Sequence, residues 1–244
     1  MNATHPSWVA EIALRMRRHF VLKLAGTTAF TALFFVAYFH LLRHPNGEVT
    51  TMPLIFVDRW IAFRPEALFA YLSLWVYVGF GPGLQRSLAT LVAYAAWIVA
   101  MCATGLVLFY FWPTAVPPMG FDASGYPGFA LLQGVDAAGN ACPSMHVAAA
   151  MFTVVRLAEI LRTAGVPVAW RVVNVAWFAA IAWSTLATRQ HVALDALAGA
   201  LLGLAFAVPS MRWRPRDDAA PRWRIARWPS ISSHPAQKTE ENTS

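Results

Sequence analysis

Two histidines carry the chemistry legible in this chain, and their neighbours say which chemistry it is. From Val172 to Met211 the only ionisable side chains are Arg189, His191 and Asp195, within Ser184-Thr185-Leu186-Ala187-Thr188-Arg189-Gln190-His191-Val192-Ala193-Leu194-Asp195. Apolar runs flank this stretch on both sides. An ionisable group inside hydrocarbon costs about 3 kcal/mol or more, so three so close together mark a polar site. His191 and Asp195 are four apart, which on a helix puts them on one face. A carboxylate there can accept the Nδ1–H of the imidazole, fix its tautomer and leave Nε2 free. A nucleophilic or general-base histidine needs that arrangement.

The second polar stretch closes a long loop. Pro113 to Ala141 contains no Lys or Arg, is rich in Pro and Gly, and leads into Cys142-Pro143-Ser144-Met145-His146-Val147-Ala148. Pro143 suits an early helix position, because its missing N–H would be unpaired there anyway. Ser144 and His146 then fall in a first helical turn, where free amides and the positive dipole end attract anions. Cationic donors, a hydroxyl and two histidines together suit phosphoryl transfer. One histidine attacks phosphorus and the other protonates the leaving oxygen.

The elements that must hold these groups are apolar helices. The 244 residues are 58% hydrophobic and 13% charged, with a mean hydropathy of +0.48. A soluble core of this size cannot absorb so much apolar surface, so the composition indicates a polytopic membrane protein. Charge-free windows run over 24–42, 67–85, 87–112, 137–155, 172–188 and 196–211, the fourth helix starting near Pro143. They predict an all-α bundle of six transmembrane helices. The basic start of the chain also suits a secretory signal, but no small-residue cleavage site follows the first window, which reads as a retained span.

With both termini cytoplasmic, every Lys and Arg except Arg43, Arg59, Arg64 and Arg189 lies on one side, as the positive-inside rule requires. The loop 113–143 and the turn 188–195 then share the outer, periplasmic face of a cytoplasmic (inner) membrane. The net charge of +7 is explained by this topology rather than by nucleic acid. Three regions follow: a basic N-terminal segment over 1–23, the membrane domain over 24–211, and a basic, Trp- and Pro-containing tail over 212–244, partly disordered. Cys102 and Cys142 give neither a disulfide framework nor metal-ligand spacing.

Over residues 50 to 205 the sequence resembles the type 2 phosphatidic acid phosphatase superfamily of membrane lipid phosphatases, most of all its inositol phosphorylceramide synthase-like branch. Three features carry the resemblance: Trp112-Pro113-Thr114-Ala115-Val116-Pro117-Pro118, then Cys142 to Ala148, then Ser184 to Asp195. It implies that His191 becomes a phosphohistidine, that Asp195 orients it, and that His146 serves as acid and then base. Ser144 and nearby amides would hold phosphate oxygens, and no metal or other cofactor is implied. Two features depart from the pattern. Ser184-Thr185 stands where the superfamily has Ser-Arg, and the guanidinium is displaced to Arg189. The superfamily's first motif, a Lys with Arg-Pro following, is not recognisable, which leaves Arg64 and Arg59 as candidates for the missing phosphate clamp.

Simpler readings exist for each feature. His191 with Asp195 is also a structural hydrogen bond, His146 a satisfied interfacial histidine, and Arg189 a side chain that snorkels to the headgroups. A metal site from His146, His191 and Asp195 is formally available, but Asp195 stands where a partner of His191 would. The convergence of both stretches on one face favours an enzyme acting on a lipid phosphate or pyrophosphate. The alternatives are a phosphotransferase that passes a headgroup to a second lipid alcohol, or a catalytically silent transporter or scaffold.

Overall fold

Residues 7–118, 125–126, 139–213 and 215 are described by the computed structural model. The tail expected to be disordered lies outside them, apart from its first residues. The basic N-terminal segment opens with helix α1 (Trp8–Arg17), capped by Ser7, whose Oγ accepts the Ala10 N–H at 3.3 Å. His19, with φ of 53°, turns the chain into α2 (Phe20–Arg43). Lys23 is buried at the start of α2, and its Nζ donates to the carbonyls of Arg15, Gly83 and Gln85 at 2.7–2.8 Å. One ammonium thus uses all three of its hydrogens on backbone acceptors and joins α1, α2 and the chain around residue 84.

After α2 come strand β1 (Thr50–Thr51), the short helix α3 (Phe56–Trp60), a 3-10 turn at Pro65–Ala67, and helices α4 (Leu68–Leu72) and α5 (Leu74–Gly83). The span expected over 67–85, with a break near its glycines and Pro82, is instead divided at Ser73. Ser73 sits at the break, where its Oγ donates to the Ala70 carbonyl at 2.6 Å and accepts the Trp177 Nε1–H at 2.9 Å. Helix α6 (Leu88–Phe111) begins with Ser87 and Thr90 each taking the other's N–H through its hydroxyl, which satisfies two end donors at once. Strand β2 (Thr114–Ala115) pairs in parallel with β1, Thr50 opposite Thr114. Thr114 also bridges to Asn140, so three extended segments are stitched together.

Helices α7 (Met145–Thr163), α8 (Val168–Ala187) and α9 (Ala193–Arg212) are the last described. Among the described residues three helices are long and apolar enough to cross a membrane: α2, α6 and α9. Helices α7 and α8 have similar lengths but carry Arg156, Glu159 and Arg162, and Arg171 and Asn174 respectively. Asn174 is satisfied inside the protein, donating to the Val154 carbonyl and accepting from the Tyr77 hydroxyl. The fourth helix starts at Met145 rather than at Pro143, with Ser144 as its cap, and runs past Val155 to Thr163. The outward residues of the long helices are apolar, among them Leu33, Val36, Phe111, Val172 and Leu201. A water-soluble helix would show a polar outer face.

The centre of the bundle is the crossing of α7 and α9. A Cβ placed on Gly199 would collide with the carbonyl oxygen of Ser144, and one on Gly203 with that of Ala148. Only glycine lets the two backbones touch here. Phe152, fully buried in α7, packs edge-on against Tyr94 of α6 with ring centroids 5.3 Å apart.

Candidate active site

The turn that carries His191 is built by the hydroxyls before it. Ser184, Thr185 and Thr188 each donate to a carbonyl one turn earlier, which absorbs their polarity inside the last turn of α8. The helix stops at Arg189, whose φ of 59° is left-handed. The N–H groups of Gln190 and His191 both close on the Thr185 carbonyl at 3.0 Å. Val192 then caps α9, and Asp195, third in the helix, accepts the Val192 N–H through Oδ2 at 3.1 Å.

His146 enters from the start of α7. The Ser144 N–H donates to the Asp195 carbonyl at 2.9 Å, so the two chain segments are joined by a backbone hydrogen bond. The rings of His146 and His191 face each other with centroids 5.8 Å apart and an interplanar angle of 57°. On its other side His146 meets Tyr71, with ring centroids 4.5 Å apart and the hydroxyl 3.5 Å from Nδ1, and the edge of Trp75 at 6.1 Å.

His191 Nδ1 lies 3.6 Å from Asp195 Oδ2, close for an ion pair but long for a hydrogen bond. Among the described residues neither ring nitrogen of His191, nor Asp195 Oδ1, has a hydrogen-bond partner, although His191 is only 5% exposed and Asp195 is fully buried. Buried polar atoms are normally paired, and exceptions gather where a ligand or reaction supplies the partner. Both histidines also line a groove of about 420 Å³. It runs from them past Tyr71, Trp75, Phe34 and Ile98 to Lys23, and its walls are almost wholly apolar.

The family model of the PAP2 superfamily matches residues 111–219. Members of that superfamily are phosphoric ester hydrolases or phosphotransferases. No curated protein and no solved structure matches the chain. The PAP2 segment contains both histidines and Asp195, whereas Tyr71, Trp75 and most of the groove wall come from the chain before it.

Of the residues expected in the site, His146, His191 and Asp195 of the PAP2 segment converge. Ser144 is adjacent but fully buried, and its Oγ accepts the Val147 N–H at 3.3 Å as the cap of α7. Arg189 donates from Nη1 to the Asp58 carbonyl at 3.0 Å and from Nη2 to the Ile61 carbonyl at 2.9 Å. Each of these nitrogens keeps a second hydrogen. Arg64 is docked through its backbone, its N–H donating to the Ala187 carbonyl at 2.9 Å, while the side chains of Arg64 and Arg59 are exposed. Among the described residues no group of three or more His, Cys, Asp or Glu is placed to hold a metal ion.

Cys142 of the PAP2 segment lies beside the site, its N–H held by Thr114 Oγ1 at 2.8 Å. Burial first, and then the Asp195 carboxylate, push its thiol up to about 11, so it stays protonated and unreactive at neutral pH. Sequence reasoning missed Asp58, Tyr71 and Trp75. Asp58 is the sole acidic residue between Glu48 and Glu66, which is the one signal that marked it.

Proposed function

We propose that the protein is an integral membrane enzyme that hydrolyses a lipid phosphate or pyrophosphate through a phosphohistidine. The observation that carries this reading is a pair of facing histidines, one with both ring nitrogens unpaired, at the head of an apolar groove inside a PAP2 segment. The groove takes the hydrocarbon chain and the histidines meet the phosphate. His191 attacks phosphorus through Nε2 while the bond to the lipid oxygen breaks. His146 gives its proton to that oxygen, and the lipid alcohol leaves. Water then loses a proton to His146 and attacks phosphorus, which frees phosphate and restores His191. Asp195 favours the tautomer with the proton on Nδ1 and the positive charge that develops on the ring. Arg64, whose backbone is tied to the chain just before His191, and Arg59 are the exposed cations nearest in sequence for a phosphate clamp. Arg189 and Ser144 support the same oxygens with what donor capacity their structural bonds leave.

In this reading α7, α8 and the divided segment 65–83 complete six spans with α2, α6 and α9. Both termini are cytoplasmic and the site faces the periplasm across the inner membrane. No metal or other cofactor takes part. The lipid and the bilayer are the partners.

Transfer of the phospho-group to a second lipid alcohol has one feature in its favour. His191 is nearly closed to bulk water while the groove leads to it, so a hydroxyl arriving on a lipid has the easier approach. One experiment decides between acceptors and tests both. Purified protein is given phosphatidic acid, a sphingoid phosphate, a polyprenyl diphosphate and, with a second lipid alcohol, a headgroup-bearing phosphodiester lipid, and phosphate and lipid products are followed together beside His191→Ala. Free phosphate, lost by at least about 10³-fold in the variant, is the expected result. A new phosphodiester lipid without phosphate moves the protein to the transferases. Equal turnover by His191→Ala removes the phosphohistidine.

A further inference from the structure

We propose that Asp58 is a positioning residue for the nucleophile, holding the chain on both sides of His191 from a loop outside the PAP2 segment. The inference rests on the reading of His191 given above.

Asp58 is 3% exposed. Its Oδ1 accepts the Ala193 N–H at 2.7 Å, and its Oδ2 accepts the Ile55 N–H at 2.8 Å, which closes α3 onto itself. Its main-chain carbonyl accepts Arg189 Nη1 at 3.0 Å. Arg189 stands two residues before His191 and Ala193 two residues after it, so one residue grips both flanks of the catalytic turn. Each grip has a physical reason. Ala193 opens α9, where N–H groups lack intrahelical partners and a negative charge is favoured. A short bond from a carboxylate to such an amide is among the stronger neutral-to-charged hydrogen bonds. Arg189 has a left-handed backbone, which a non-glycine residue keeps only where its surroundings hold it. The two carbonyls of the Asp58 loop supply that hold.

The geometry of Asp195 depends on the same bond. Its Oδ2 is shared between the Val192 N–H at 3.1 Å and His191 Nδ1 at 3.6 Å. With Asp58 absent, Asp195 is the carboxylate left at that helix start. A bond from it to the Ala193 N–H would draw it from His191. Asp58 thus keeps Asp195 available to the imidazole.

The test uses full-length protein and the lipid phosphate of the panel that the wild type turns over fastest. Asp58→Asn keeps the shape of the side chain but cannot offer two acceptor oxygens. Ala193→Pro keeps Asp58 and removes the N–H it holds. Proline fits the first position of a helix, and Val192, at φ −97° and ψ 165°, already has the extended conformation required before proline. Each variant is expected to lower kcat by about 10²-fold, the scale of a misplaced reacting group, with KM unchanged. The double variant should be no worse than Ala193→Pro alone, since the N–H that residue 58 holds is already gone there. Wild-type kcat in Asp58→Asn, losses that multiply in the double variant, or a change in KM alone would overturn the proposal. Should Asp58→Asn fail to fold, Ala193→Pro decides by the same split between kcat and KM. A wild type without turnover, or a fully active His191→Ala, overturns the functional reading, and this inference with it.

Discussion

In the proposed reaction His146 and His191, chemically identical side chains, act in opposite protonation states, and their surroundings differ. His191 has a carboxylate 3.6 Å from Nδ1, while His146 has a tyrosine face and a tryptophan edge. Attack needs His191 neutral at Nε2, and leaving-group departure needs His146 protonated. A reaction that needs one ring deprotonated and the other protonated should give turnover a bell against pH. A kcat profile from pH 4 to 9 for wild type and His146→Gln checks this. The variant should lose the alkaline limb and fall by about 10²–10⁴-fold in rate, the usual contribution of a general acid. A flat wild-type profile would remove these roles.

At the scale of elements, the distance between the histidines is set by how closely α7 and α9 approach. Gly199 and Gly203 meet carbonyl oxygens of Ser144 and Ala148, and backbone, unlike a side-chain tip, cannot step aside. Gly199→Ala should push the helices apart at the level of the site. A loss of about 1–3 kcal/mol should appear as a lower unfolding midpoint in detergent, with a fall in kcat larger than the stability loss explains. Gly26, where a Cβ meets nothing, supplies the matched control for stability. Much of this frame was legible in the sequence, because apolar windows and a His-x3-Asp spacing are local patterns. The windows located α2, α6 and α9 to within a few residues, whereas His191 stands in the turn before α9 rather than on one helix face with Asp195, and the two meet at 3.6 Å because Asp195 reaches back from the first turn of α9. The rest was hidden for a physical reason. Arg189 is bound by the carbonyls of Asp58 and Ile61, and a carbonyl carries no residue identity to read. The bond from Asp58 to Ala193 spans 135 positions. Ser73, which divides an apolar window by bonding its neighbours, is an unremarked residue in a run of hydrophobic ones.

The whole molecule divides its labour along the chain. The PAP2 segment supplies the two facing histidines, and the chain before it supplies α3, the aromatic wall at Tyr71 and Trp75, and the groove between α2 and α6. Helix α2 is the loosest of the long helices, with little of its surface buried. It is pinned near its ends, by Lys23 on three carbonyls and by Asn140 Nδ2 on the Tyr38 carbonyl at 2.8 Å. Between those pins it forms one bank of the groove.

The groove is not sealed. Leu22, Leu72, Trp75, Val92 and Val99 line the groove and are also among the exposed apolar residues of the protein, so the groove opens sideways onto the surface that lipid covers. A substrate reaching the histidines by this route is drawn from a two-dimensional solution, and the concentration that matters is its mole fraction among neighbouring lipids. Adding inert detergent at fixed substrate molarity should then slow the enzyme in proportion to the dilution. Adding substrate and detergent together at a fixed ratio, with ample substrate, should leave the turnover per enzyme unchanged. A rate that follows bulk molarity instead would mean that the phosphate arrives through water. For the cell, such kinetics make the enzyme a gauge of membrane composition, responding to how crowded one leaflet is with its substrate.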